Sequence, residues 1–155
     1  MSGIIGAAGT KSGVIGTTEL DYEEGTWSPN LNDSDSNFQH ATTNGFYTKV
    51  GNRVFCNGKV VTDGMSGVTG GNSVRCTGLP FACSSSTDSW GGGTMIHCTG
   101  LSITASENIQ IRVDYGGTTF YLPKWDGTAG TTNLTCDEWS VDGSGIFAFQ
   151  YMTDE

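Results

Sequence analysis

Basic residues are scarce in this chain: lysine and arginine number seven against sixteen acids, a formal charge of −9. That shortage argues against nucleic acid and anionic membrane as partners, since both are held by clusters of positive charge. Long apolar runs are also missing. No segment is long enough to span a bilayer, so no membrane insertion is expected. The first twenty residues have no basic start followed by an apolar stretch, so they do not read as a secretion signal. No window keeps a helical period for three turns, which excludes a helical bundle. Histidine occurs only twice, as His40 and His97. There is no G-x-S-x-G elbow, phosphate-binding loop or H-E-x-x-H pair, so the sequence points to no enzyme, cofactor or metal.

Several weaker features can be weighed in the same way. The five cysteines, Cys56, Cys76, Cys83, Cys98 and Cys136, are odd in number and show no C-x-x-C spacing. Most lie in apolar or alternating segments, where cysteine acts as a small core residue, so reduced buried thiols are expected. A Cys76–Cys83 bridge around Gly78 and Pro80 is the less favoured alternative. The sequons at Asn32 and Asn133 read as chance matches without a secretion signal. Asp33-Ser34-Asp35-Ser36-Asn37 spaces its oxygens like the start of a calcium loop. Phe38 and Asn44 stand where that loop needs glycine and glutamate, which favours a solvated turn. Glu23-Glu24 and Asp137-Glu138 are adjacent acids, and neighbours on a strand point to opposite faces rather than across one sugar. His97 reads as an outward-facing strand residue rather than a base.

What the chain has in quantity is glycine, 24 residues, separating short strand-like segments. Arg53 to Val61 is strongly strand-like, and its Asn57-Gly58 pair suggests a hairpin or bulge. Asn108 to Tyr115 alternates, with Ile109, Ile111, Val113 and Tyr115 on one face. Gly116-Gly117 then turns into a partner strand at Thr118 to Leu122. Ile146 to Met152 closes the domain with Phe147, Phe149 and Tyr151 on one side. Weaker strands fall near Trp27 to Leu31, Phe46 to Val50, Ser73 to Thr77, Thr94 to Thr99 and Asn133 to Val141. Ser84 to Gly93 and Asp63 to Asn72 read as loops. Eight or nine such strands predict an all-β fold, a jelly-roll-like β-sandwich over residues 21–155.

Residues 1–20 read differently, as an extended glycine-rich N-terminal arm. Ser2-Gly3-Ile4-Ile5-Gly6 recurs as Ser12-Gly13-Val14-Ile15-Gly16. Each copy sets two branched apolar residues between glycines, too few to form a core but suited to hooking into grooves on a partner. Ile4, Ile5, Val14 and Ile15 are the candidate anchors. Among the four tryptophans, Trp27 and Trp139 sit in strand-like contexts and are expected in the core. Trp90 and Trp125 sit in polar, glycine-rich loops. An exposed indole there offers a flat face for a sugar ring, the alternative being a cap on the sandwich or a subunit contact.

One ordered set of motifs carries a resemblance. Leu20-Asp21-Tyr22-Glu23-Glu24-Gly25-Thr26-Trp27-Ser28-Pro29 opens it. Gly45-Phe46-Tyr47-Thr48-Lys49-Val50-Gly51, with the strand Val54 to Val61, continues it. Thr77-Gly78-Leu79-Pro80-Phe81 and the aromatic strand ending at Tyr151 complete it. Together they resemble a module of bacteriophage tail-fibre-like proteins. The resemblance implies a β-rich virion surface protein, often trimeric, assembled in the host cytoplasm. A homotrimer is therefore expected, joined to other virion proteins through residues 1–20 and able to engage host-surface glycans. The chain lacks the shaft of a long fibre, which keeps a capsid decoration or cement protein open. A free carbohydrate-binding module or glycan hydrolase is a third reading, against which the arm argues.

Overall fold

The computed structural model describes residues 21–125 and 130–155. Eleven strands and one short 3-10 helix make up the described chain. They are β1 (Tyr22–Trp27), β2 (Asn30–Asn32), β3 (Gln39–Val50), β4 (Arg53–Gly64), β5 (Arg75–Thr77) and β6 (Gly91–Leu101). They continue with β7 (Asn108–Val113), β8 (Thr119–Tyr121), β9 (Pro123–Trp125), β10 (Thr131–Asn133) and β11 (Trp139–Met152). The all-β fold expected from the sequence is what the structure has.

Every pairing is antiparallel, and the strands follow one path, β1-β3-β4-β11-β6-β7-β8-β5-β2. Strand β9 lies beside β7, with β10 beyond it. The two ends of this path, β1 and β2, are consecutive in sequence, separated only by Ser28-Pro29. The sheet therefore curls on itself, and the chain turns the corner at a proline, which has no N–H to lose from a ladder. One core fills the curl. Trp27, Phe120, Phe147 and Phe149 pack with ring centroids 4.9 to 6.4 Å apart. The alternation behind this is plain in β7, where Ile109, Ile111 and Val113 are buried, and in β11, where Phe147, Phe149 and Tyr151 are.

Several expectations need correction. Asn57-Gly58 makes neither hairpin nor bulge: β4 runs unbroken through it, Gly58 facing Phe147 on one side and Gly45 on the other. The glycines are there for space. A Cβ on Gly45 would come within 2.3 Å of the Trp27 indole, and one on Gly58 within 2.6 Å of the Phe147 ring. The Trp27 Nε1–H then reaches under the sheet to donate to the Phe46 and Asn57 carbonyls at 3.3 and 3.1 Å.

Second, Tyr115 does not continue the buried face of β7, which ends at Val113; it is exposed in the following turn. Third, the segment 133–141 is not one strand. Thr135-Cys136-Asp137-Glu138 closes into a 3-10 turn because the Glu138 carboxylate takes the Thr135 backbone N–H at 2.8 Å. This is the reciprocal half of a capping box, a signal visible as T-x-x-E in the sequence. Fourth, Asp33 is not a solvated residue but is buried. All five cysteines are free thiols, so Cys76 and Cys83 are unbridged. Cys98 is half-buried and the other four are buried. Burial pushes the Cys56 and Cys136 thiols up to about 12 and about 11, which keeps them protonated and unreactive.

Candidate functional site

The outward face of β7, β8 and β9 brings the candidate tryptophans onto one surface. Asn108, Gln110 and Arg112 point away from the core, alternating with the buried Ile109, Ile111 and Val113. Tyr121 stands across from Arg112, and Trp125 across from Asn108. Trp90 precedes Gly91, whose partner on β7 is Val113. The tryptophans thus flank opposite ends of β7. Six strand residues separate their levels, about 20 Å at strand rise.

The Trp90 end is a small cluster. Tyr115 meets Trp90 edge-on with centroids 5.5 Å apart. The Arg112 guanidinium lies over both the Trp90 ring, at 5.9 Å, and the Tyr121 ring, at 5.1 Å. Asp114 holds Arg112 in place through an ion pair of 2.7 Å. The loop before Trp90 is fixed from several directions. Ser84 N–H donates to Met152, the Ser89 hydroxyl donates to the Ser84 and Ser86 carbonyls, and the Trp90 indole N–H donates to Thr87 at 2.9 Å. That last bond uses the only polar atom of the ring, so Trp90 has its π-face and edge to offer a ligand, while Arg112 supplies charge and hydrogen bonds.

Trp90 and Trp125 are 51% and 52% exposed. Between them lie the Asn108 and Gln110 side-chain amides, which hydrogen-bond to each other. Aromatic groups at both ends of a polar strip suit an elongated, hydroxyl-rich ligand: rings stack on the indoles and amides take the hydroxyls. Sequence reading found both tryptophans but missed Arg112, Tyr115 and Tyr121. The outward alternation of Asn108, Gln110 and Arg112 was the signal that could have found them.

The adjacent acids are committed elsewhere. Glu23 accepts the Tyr47 hydroxyl at 2.5 Å and Glu24 that of Tyr22 at 2.9 Å, which raises both phenols above their usual range. Glu138 and Glu107 both pair with buried Lys124. Burial alone would lower the Lys124 pKa, but its bonds to Glu138 and Glu107 outweigh that and raise it. The Asp33 carboxylate is saturated too. It accepts the backbone N–H groups of Asp35 and Ser36 on one oxygen, and Thr69 N–H and the Asn72 amide on the other. These donors, Thr69 and Ser36 foremost, hold its carboxyl down at about 2. A carboxylate so engaged is a loop clasp, not a calcium ligand. Among the described residues no three His, Cys, Asp or Glu side chains gather as a metal site would require.

His97 is exposed on β6, as expected, while His40 accepts the Leu31 N–H at 3.1 Å. The proposed anchors Ile4, Ile5, Val14 and Ile15, with the rest of the arm, lie outside the described residues.

No protein-family model and no curated protein matches the chain. Among solved structures, the chain is similar in fold to the Dettilon tailspike protein, with a TM-score of 0.71 and 15% identity. The match covers 84% of this chain and 24% of the tailspike chain, so it corresponds to about a quarter of that protein. At this identity the likeness shows a shared fold.

Proposed function

We propose that this chain is a non-enzymatic structural module of a tailed-phage virion that binds host-surface glycans through the outward face of β7, β8 and β9. On this reading it sits on the virion surface as a homotrimer, and residues 1–20 dock it to other virion proteins through Ile4, Ile5, Val14 and Ile15. The observation that carries the glycan reading is the aromatic and polar strip from Trp90 to Trp125, with Arg112 stacked between Trp90 and Tyr121. The ordered motifs from Leu20 to Tyr151 support a fibre-type module, and the fold shared with a tailspike protein agrees with it. A structural rather than hydrolytic role is supported by the engagement of Glu23, Glu24, Glu107 and Glu138 by tyrosines and Lys124.

The test is adsorption of the purified protein to intact host cells. Trp90→Ala or Trp125→Ala should each weaken it by about 1–2 kcal/mol, roughly five- to thirtyfold, with strand content unchanged. A capsid decoration protein would behave otherwise, keeping adsorption unchanged and losing heat resistance of the particle. Unchanged adsorption with both indoles removed overturns the glycan reading.

A further inference from the structure

We propose that the outer face of β1, β3, β4, β11 and β6 is where copies of this chain pack against one another. The inference rests on the multimeric part of the proposed function and locates the contact; it is independent of glycan binding.

The face sets large exposed apolar side chains among polar ones such as Asn44, Asn57, Lys59 and Gln150. Phe46 and Ile96 are each 61% exposed, and Phe55 is 47% exposed. Phe46 and Phe55 lie on the adjacent strands β3 and β4, and Ile96 lies on β6 across β11, with Phe55 opposite Gln150 and Asn57 opposite Ala148. Ile96 is the extra residue of a bulge that opposes it to no β11 partner, since Ile146 pairs with His97 and Phe147 with Met95. Such a bulge aims a side chain outward rather than into a ladder position. Exposed apolar residues gathered in this way mark an interaction surface.

Two features commit the surface to a second copy. The first is charge. The chain carries −9, yet of the five strands the central four, β3, β4, β6 and β11, contain two acidic residues, Asp63 and Asp142. Glu23 and Glu24 lie on the edge strand β1, hydrogen-bonded to Tyr47 and Tyr22, and Lys59 is exposed at the middle of β4. Ser144 pairs with Val61, which places Asp63 and Asp142 at one end of the face. A basic partner would be drawn to acids and finds few here. Identical acidic chains can approach each other only where their acids are absent, since like charges in contact are costly.

The second is shape. Phe46 forms a ridge bordered by three grooves. One of about 290 Å³ runs toward Phe55 and Ala148, one of about 400 Å³ toward Ile96 and Ile146, and one of about 440 Å³ toward Glu24 and Thr26. A knob beside holes on the same face is what self-packing needs. Five strands at ~4.8 Å spacing, with about 30 Å of β4–β11 pairing, give a face of roughly 600 Å² in projection. Its corrugation brings it near the ~800 Å² per partner of a specific interface.

The experiment is sedimentation of the full chain at micromolar concentration, with the Phe46→Asp and Ile96→Asp variants and with p-benzoylphenylalanine in place of Phe46. The native chain should sediment at a multiple of the one-chain mass. Phe46→Asp and Ile96→Asp should fall to the one-chain mass with unchanged strand circular dichroism, and irradiation should join position 46 to a second chain. Trp90→Ala should keep the native mass. A monomeric native chain, surface variants that still assemble, or photoproducts joining position 46 only to residues 1–20 of its own chain would overturn the inference. Loss of mass in Trp90→Ala would also overturn it, placing the contact on the other face. Unchanged host adsorption of Trp90→Ala and Trp125→Ala at native mass would instead count against glycan binding alone.

Discussion

The two halves of the curled sheet are built on different principles. In the half made of β3, β4, β6 and β11, the strands are 11 to 14 residues long and held by long ladders. Its outer face needs few side-chain hydrogen bonds and is free to be apolar. The other half, from β7 through β8 and β5 to β2, uses strands of three to six residues. Short strands leave more backbone ends to satisfy, and side chains supply the missing partners. Asp33 takes the Asp35, Ser36 and Thr69 N–H groups and Glu138 that of Thr135, while Arg75 with Asn32 and Lys124 with Glu107 and Glu138 add side-chain pairs. Ladder length thus sorts the molecule: both halves share one hydrophobic core, and the short-strand half adds specific polar contacts to it. The same division separates the apolar face proposed for self-contact from the polar face proposed for ligand.

The largest effect is expected where the halves meet. Phe147 on β11 touches Trp27 from β1, at one end of the sheet path, and Phe120 from β8 in the short-strand half. Phe147→Ala should destabilise by about 3–5 kcal/mol, measured by urea unfolding, because the curled sheet cannot easily collapse into the gap. A loss below about 1 kcal/mol would mean the halves are joined mainly by their ladders. Lys124→Met should come next, at about 2–4 kcal/mol. It leaves the Glu107 and Glu138 carboxylates facing each other without their cation, while its stem keeps the volume. Partial recovery on adding Glu138→Gln would confirm that stranded charge, rather than packing, causes the loss.

The long-strand half was the more legible in the sequence, and for a physical reason. Long alternation such as Phe147, Phe149 and Tyr151 repeats one signal many times, whereas a three-residue strand such as β2 or β8 repeats it once. Strand β5 falls within the weak strand expected over Ser73 to Thr77, whereas β2 reads as one strand with the end of β1 because Ser28-Pro29 turns a corner without a glycine. Glycine misled where it served volume rather than turning, as at Gly58 under Phe147. The candidate site was half legible. Trp90 and Trp125 stood out as aromatic residues in polar loops, but Arg112 joined them only through register across β7 and β8. The clasp at Asp33 was hidden because its donors Thr69 and Asn72 lie more than thirty residues away.

The smallest effect is expected at that clasp, and it is sharpest as a pH dependence. Asp33→Asn keeps an oxygen for the Asp35 and Ser36 N–H groups, at 2.9 and 2.6 Å, and gives up only the acceptor facing Thr69 and Asn72. The loss is therefore partial and confined to the short-strand half. Its sign follows from the carboxyl being held at about 2 in the fold, below its ordinary value of 3.8. The unfolded chain takes up the proton first, so acid favours unfolding. The stabilisation is complete above about pH 4 and drains away as pH falls toward 2. An asparagine has no proton to bind, so the gap in urea midpoint between native chain and Asp33→Asn should be constant from pH 7 to 5 and shrink steadily as pH falls from 4 to 2. A gap as wide at pH 2 as at pH 7 would show that the substitution acts through loop shape and not through the ionised carboxylate, and the short-strand half would then owe less to charge than its contacts imply.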